Sequence, residues 1–170
     1  MPVRIGIGYD IHRFEPGRPL VLGGVTIPGE AGLAGQSDAD ALLHAIMDAL
    51  LGAAGLGDIG QHFPPEDPAY AGVSSLDLLA QVMDRLAEAG LAPDSVDSTV
   101  IAEGPRLAPH VPAIRASLAA ALGVPPQRVN VKATTNEGLG AIGRGEGIAA
   151  IAVVLLREPG EPRSPFDTSG

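Results

Sequence analysis

Residues 5–14 read IGIGYDIHRF, and the fold turns on taking this stretch as a β-strand. The run from Val3 to Ile7 is largely apolar or glycine and suited to a core. In a strand, side chains at i and i+2 share a face. Asp10 and His12 therefore project together, provided the extended backbone predicted over Val3 to Asp10 persists to His12. A strand entering a core has no reason to end in a carboxylate and an imidazole on one side unless something binds both. A third group lies downstream. The run SDADALLHAIMDALLGA, 37–53, predicts a helix from about Ala39 to Ala54 with Asp38 as its N-cap. Leu42, Leu43, Ile46, Met47, Leu50 and Leu51 form its apolar face, and His44 lies among them. Asp40 and Asp48 stand one turn either side of His44; Asp48 is the favoured partner for its second ring nitrogen. Asp10, His12 and His44 would make a three-ligand site with an open fourth position, the catalytic pattern for zinc. Manganese or iron come next in preference. The same spacing also fits a solvated turn and a hydrogen-bonded core histidine, so the reading rests on the three groups converging.

Composition narrows the rest. The chain has 170 residues, enough for one domain with a real core, and no cysteine, which excludes disulfides and thiolate metal sites. The net charge is −9 and Lys132 is the one lysine. No basic stripe of the kind a nucleic-acid partner requires is present. An anionic ligand would meet a repulsive mean field, so its site needs cations of its own. The longest apolar run, Ile148 to Leu156, falls well short of the roughly 20 residues that span a bilayer. With no signal-peptide pattern at the start, a soluble cytoplasmic protein without a membrane partner is expected.

Working outward, residues 18–29 predict a hairpin turned by Gly23-Gly24. Residues 55–72 predict a long Gly/Pro loop, a type often functional. Helices are predicted over Ser74 to Ala89, stopped by Gly90, and over Pro109 to Leu122, stopped by Gly123. Strands are predicted over Val96 to Ala102, Val129 to Thr135 and Ile148 to Leu156, with a glycine-rich segment at 137–147. The order βββ-α-α-β-α-β-β indicates an α+β fold: a mixed β-sheet with three helices packed on one face. Residues 1–157 would form the single domain and 158–170 a flexible tail.

Four motifs together resemble the 2-C-methyl-D-erythritol 2,4-cyclodiphosphate synthase family. They are IGIGYDIHRF, LGGVTIPGEAGLAGQSDADALLHAIMDALLGAAGLGDIGQHFP (22–64), NVKATTNEGLGAIGRGEGIA (130–149) and the PH of LAPHVPAI (107–114). The resemblance runs from about Val3 to Arg157. It implies that the 2-phosphate of a cytidine diphosphate-linked substrate, 4-diphosphocytidyl-2-C-methyl-D-erythritol 2-phosphate, attacks its own β-phosphorus and releases CMP. It implies a step of the non-mevalonate isoprenoid pathway, catalysed by a phosphorus-oxygen lyase. It also implies a homotrimer with sites at subunit interfaces.

The same resemblance implies roles residue by residue. Asp10, His12, His44, Glu137 and Thr135 form the catalytic set. Asp10, His12 and His44 hold Zn²⁺, and Glu137 holds Mg²⁺ or Mn²⁺ together with substrate. Ser37 contacts phosphate, and Gln36 stands where the family often has histidine. Asp58 binds the erythritol hydroxyls, with Phe63 in the same loop. Asp67 belongs to FPPED, which replaces the more usual FPDTD. Ala102 to Leu107, including Pro105 and Arg106, matches the cytosine segment, where backbone groups would read the base and side-chain identity matters less. Ala133, Thr134 and Thr135 serve the nucleotide. Arg144 would lie near the three-fold axis, close to the phosphates of an isoprenoid diphosphate in the central cavity. His62 and His110 receive no chemistry.

Overall fold

The computed structural model describes residues 3–29 and 31–158. The opening strand β1 (Val3–Glu15) runs past the expected end at Asp10, so the backbone is extended through His12. A hairpin follows, β2 (Leu20–Leu22) and β3 (Val25–Ile27), turned at Gly23 and Gly24 as anticipated. A two-residue strand, β4 (Gly32–Leu33), was not anticipated. The long helices are α1 (Ala41–Ala54), α3 (Ser75–Glu88) and α4 (Val111–Leu122). The remaining strands are β5 (Ala92–Ile101), β6 (Val129–Thr134) and β7 (Gly147–Arg157). The expected loop at 55–72 is instead ordered by one-turn pieces, α2 (Ile59–His62) and a 3₁₀ turn at Pro68–Tyr70, because Asp58 and Asp67 cap them. A further one-turn helix, α5 (Gly140–Gly143), interrupts the glycine-rich segment. Among the described residues, three long helices thus stand with two short ones. The tail expected beyond Arg157 lies, from residue 159 onward, outside the described residues.

The main sheet has the order β4-β1-β7-β5-β6. Only β5 and β6 run parallel, so the sheet is mixed. Its closest helix contact explains the opening motif. A Cβ on Gly6 would sit 1.9 Å from the Ala49 carbonyl oxygen, and one on Gly8 would sit 1.8 Å from that of Ala45. Helix α1 therefore lies backbone-to-backbone on β1, an approach that glycine alone permits. The helix is buried almost all round, between β1 and β7 on one side and α3 on the other. The opposite face of β1 carries Ile5, Ile7, Tyr9 and Ile11, all exposed and next to Ile151, Val153 and Leu155 of β7.

The cap of α1 is Asp40, not Asp38. Asp40 accepts from the Leu43 N–H at 3.0 Å and from the Gly23 and Gly24 N–H groups at 2.9 and 2.7 Å. One buried carboxylate thus starts the helix and fastens the hairpin turn. Burial pushes its pKa up to about 6 against the pull of those three donors.

Candidate active site

Because β1 stays extended, Asp10 and His12 both face α1, and α1 brings His44 to them. Asp10 Oδ2 lies 2.7 Å from His12 Nε2 and 3.1 Å from His44 Nδ1. The two ring nitrogens are 3.2 Å apart. Oδ2, Nε2 and Nδ1 all lie within 4.8 Å of one another, so a single ion can be held by these atoms. The opposite ring nitrogen of His12 donates to the Ala34 carbonyl at 2.7 Å, which leaves the Nε2 lone pair for an ion. One carboxylate and two imidazoles, with no sulfur, form a donor set that fits zinc or a neighbouring divalent metal.

The electrostatics are those of a tight acid–imidazole cluster. Burial opposes ionisation of Asp10, but the hydrogen bonds and charges of His12 and His44 prevail and hold its pKa at about 2. Burial also opposes the charge on His12, yet Asp10 raises its pKa above the usual 6.5.

Asp48 does not support His44. Its Oδ1 accepts the Ile59 N–H at 2.8 Å and tethers α2, and burial raises its pKa. The Nε2 of His44 instead meets Ser75 Oγ at 3.0 Å and Ser37 Oγ at 3.2 Å. Helical spacing correctly placed Asp48 one turn from His44, but the side chain turns to the loop packed beside it.

The cluster opens into a cavity of about 240 Å³. Gln36, Ser37 and Phe63 line it together with Asp10, His12 and His44. Ile59, Gly60, Pro65, Tyr70 and Leu78 complete its wall, and sequence reasoning missed all five. Phe63 and Tyr70 meet edge-on with ring centroids 5.3 Å apart. Asp58 and Asp67 do not line this cavity. Asp58 caps α2 through the Gln61 N–H, and Asp67 caps the following turn. Gln36 Nε2 donates to the Asp67 carbonyl at 3.0 Å, which ties the same loop down.

A second cavity, of about 280 Å³, gathers Ala102, Pro105, Arg106, Leu107, Ala133, Thr134 and Thr135. It shares no lining residue with the first. In register across the sheet, Asp10 is followed by Ala150, Val100 and Ala133. Three strand spacings, about 14 Å, therefore separate the strand of Asp10 and His12 from the β6 cavity. Glu103 also lines this cavity and has a job that sequence reasoning had not given it. Its Oε1 accepts the N–H groups of Asn136 and Gly138 at 2.9 and 3.2 Å, folding the loop that carries Glu137. Glu137 itself is exposed, with φ of 53°, and stands apart from the Asp10 cluster. Arg144 is exposed and paired with Glu146 at 2.6 Å.

The family model of the YgbB family matches residues 3–157. The 2-C-methyl-D-erythritol 2,4-cyclodiphosphate synthase of Symbiobacterium thermophilum is 64% identical over 152 residues, 89% of this chain and 97% of that protein. A solved structure of a 2C-methyl-D-erythritol-2,4-cyclodiphosphate synthase in its CDP-bound form superposes with a TM-score of 0.83. It is 41% identical, and the match covers 91% of this chain and all of that one. The bifunctional IspDF from Campylobacter jejuni superposes with a TM-score of 0.89 at 42% identity. That match covers 92% of this chain but 42% of the bifunctional one.

Proposed function

This chain belongs to the YgbB family, and from that premise we infer its reaction: it converts 4-diphosphocytidyl-2-C-methyl-D-erythritol 2-phosphate to 2-C-methyl-D-erythritol 2,4-cyclodiphosphate and CMP. The enzyme is a lyase of isoprenoid biosynthesis. A bond forms between a 2-phosphate oxygen and the β-phosphorus. The bond from that phosphorus to the bridging oxygen breaks, and the electron pair leaves with CMP. The observation that carries the reading is the convergence of Asp10 Oδ2, His12 Nε2 and His44 Nδ1 on one point of a cavity.

Asp10, His12 and His44 would hold Zn²⁺, since three protein ligands leave a position open. Glu137, with substrate oxygens, would hold the harder Mg²⁺ or Mn²⁺. Bound there, the cations supply Lewis acidity at the β-phosphorus and offset the charge that an acidic protein would otherwise oppose. The chain's residues do the rest by positioning. Nucleophile and electrophile belong to one molecule, so folding them into line is worth an effective molarity of roughly 10⁵ M or more. Ser37 would hold a phosphate oxygen at the cavity wall, and Gln36 would hold the loop that closes it. The apolar side chains of Ile59, Phe63, Tyr70 and Leu78 would keep out water that would otherwise hydrolyse the diphosphate. Asp58 and Asp67, on the loop that walls the cavity, would meet the erythritol hydroxyls only by turning from the caps they make here. Ala102, Pro105, Arg106, Leu107, Ala133, Thr134 and Thr135 would hold the cytidine and its phosphates, in keeping with the CDP-bound relative.

Two separate cavities for one substrate are best reconciled by a homotrimer in which one copy's cytidine cavity faces another's metal cluster. The exposed apolar face of β1, beside half-buried residues of β7, supports that assembly. An isoprenoid diphosphate near Arg144 on its axis belongs to the same proposal. No helix among the described residues is long and apolar enough to cross a membrane, and a cytoplasmic setting is part of the proposal.

Phosphorus NMR of the products tests the reaction. Cyclic diphosphate and CMP are expected in equal amounts. Inorganic phosphate or open-chain products would identify a phosphohydrolase instead. Asp10→Ala is expected to abolish turnover, and full activity in that variant would overturn the metal-assisted reading.

A further inference from the structure

His44 is 8% exposed, and a ring nitrogen buried to that degree needs a partner. For Nε2 the nearest is Ser75 Oγ, at 3.0 Å. Ser75 begins α3 and is fully buried. Its hydroxyl carries one proton, and that proton goes to Asp38 Oδ1. Asp38 Oδ2 accepts the Ser75 backbone N–H at 2.9 Å, so the carboxylate grips the serine twice. Oδ1 also accepts the Asp40 N–H at 3.2 Å. An ionised carboxylate only accepts, which fixes the direction of the chain. Ser75 has only lone pairs left to offer His44. Nε2 then turns a ring proton toward Ser75, and Nδ1 is the nitrogen that faces Asp10 and His12.

We propose that Ser75 and Asp38 are positioning residues of the metal centre: Asp38 locks the Ser75 hydroxyl, and Ser75 locks the tautomer and ring plane of His44. For His12 the Ala34 carbonyl does the same task alone. The two serines at His44 thereby divide their work. Ser75 is consumed by the chain to Asp38, while Ser37, whose Oγ accepts the Ala39 N–H at 3.2 Å, keeps its own proton for a ligand in the cavity. The proposal rests on Asp10, His12 and His44 being metal ligands.

The test uses the full chain stripped of metal by a chelator. Two-bond proton–nitrogen correlation NMR reports which His44 nitrogen is protonated. Titration with Co²⁺, followed by Zn²⁺ competition against a chromophoric chelator, reports affinity. The wild-type protein is expected to carry a proton on Nε2 of His44 and to show one tight site, and Asp10→Ala to lose that site. Ser75→Ala is expected to weaken binding about 10- to 100-fold and to populate the Nδ1–H tautomer. Asp38→Asn, which keeps the shape of the side chain, is expected to act in the same direction by a smaller factor. Ser37→Ala is expected to leave the tautomer unchanged. Wild-type affinity with Nε2–H alone in both Ser75→Ala and Asp38→Asn overturns the proposal. So does weakened binding in both without any tautomer change, which is what a purely structural role would give. If the wild-type chain takes up no metal, the ligand reading fails, and the tautomer comparison still decides the role of Ser75.

Discussion

Asp10 and His12 each owe their protonation behaviour to the other, and this defines a pH window for the metal-free protein. Asp10 is held at about 2, below its ordinary 3.8. Its contribution to stability is present above pH 3.8 and is lost as pH falls through about 2. His12 is raised above 6.5. Its contribution is present below pH 6.5 and is lost as pH rises through the higher folded value. The pair therefore stabilises the chelator-treated chain most between pH 3.8 and 6.5. Asp10→Asn is expected to lower stability there by roughly 2 kcal/mol. The difference from wild type should narrow at both ends of the window. Urea unfolding at a series of pH values measures it, and a pH-independent difference would contradict the linkage. That Asp10 and His12 share a face was legible at this scale because an i, i+2 pair on a strand has one geometry. The support of His44 was not, since Asp48 and Asp38 both lie within six positions of it and spacing alone favours the wrong one.

Helix α1 and strand β1 form a single unit at the next scale, and the glycines of IGIG make it possible. Gly8→Ala would drive a methyl group into the Ala45 carbonyl. Backbone cannot yield as a flexible side chain would, so α1 must lift from the sheet. A loss of about 3 kcal/mol or more is expected, accompanied by weakened metal uptake, because His44 moves with the helix. Thermal unfolding and metal titration of one preparation check both parts. Near-native stability would show that the helix seat is looser than the contact implies. The helix and strand periods were readable here, and so was the Gly23-Gly24 turn. The cap was misplaced by two residues because Asp38 and Asp40 are equally good caps locally. Asp40 takes the role because its carboxylate also reaches the hairpin turn, 16–17 positions away in sequence.

For the molecule as a whole, the unresolved demand is the apolar face of β1. Ile5 and Ile7 are 70% and 71% exposed, with Tyr9 and Ile11 continuing the row. Exposed apolar surface of this kind marks an interaction site, and cyclic symmetry covers such a face with copies of itself. If the proposed homotrimer forms on this face, Ile7→Asp is expected to leave a monomer in sedimentation. Turnover should fall at least tenfold, while the Asp10, His12 and His44 cluster, on the other face of the strand, still binds one metal ion. A monomeric wild-type chain with full activity would remove the case for shared sites. The helices' side of the sheet was legible from sequence as the side that needs burial. The identity of what covers the other side was not, because alternation marks a face as apolar without naming its partner.

The sequence by itself determined the strand that carries Asp10 and His12, the helix that carries His44 and the hairpin between them. Each of these follows from local backbone geometry, with periods of two and 3.6 residues and glycine at the turn. Only the tertiary structure decided that Ser75 and Asp38 stand behind His44, that Tyr70 and Leu78 wall the cavity, and that Glu103 folds the loop of Glu137. Those partners come from elements distant along the chain. Close packing, which no local period encodes, selects which side chain meets which.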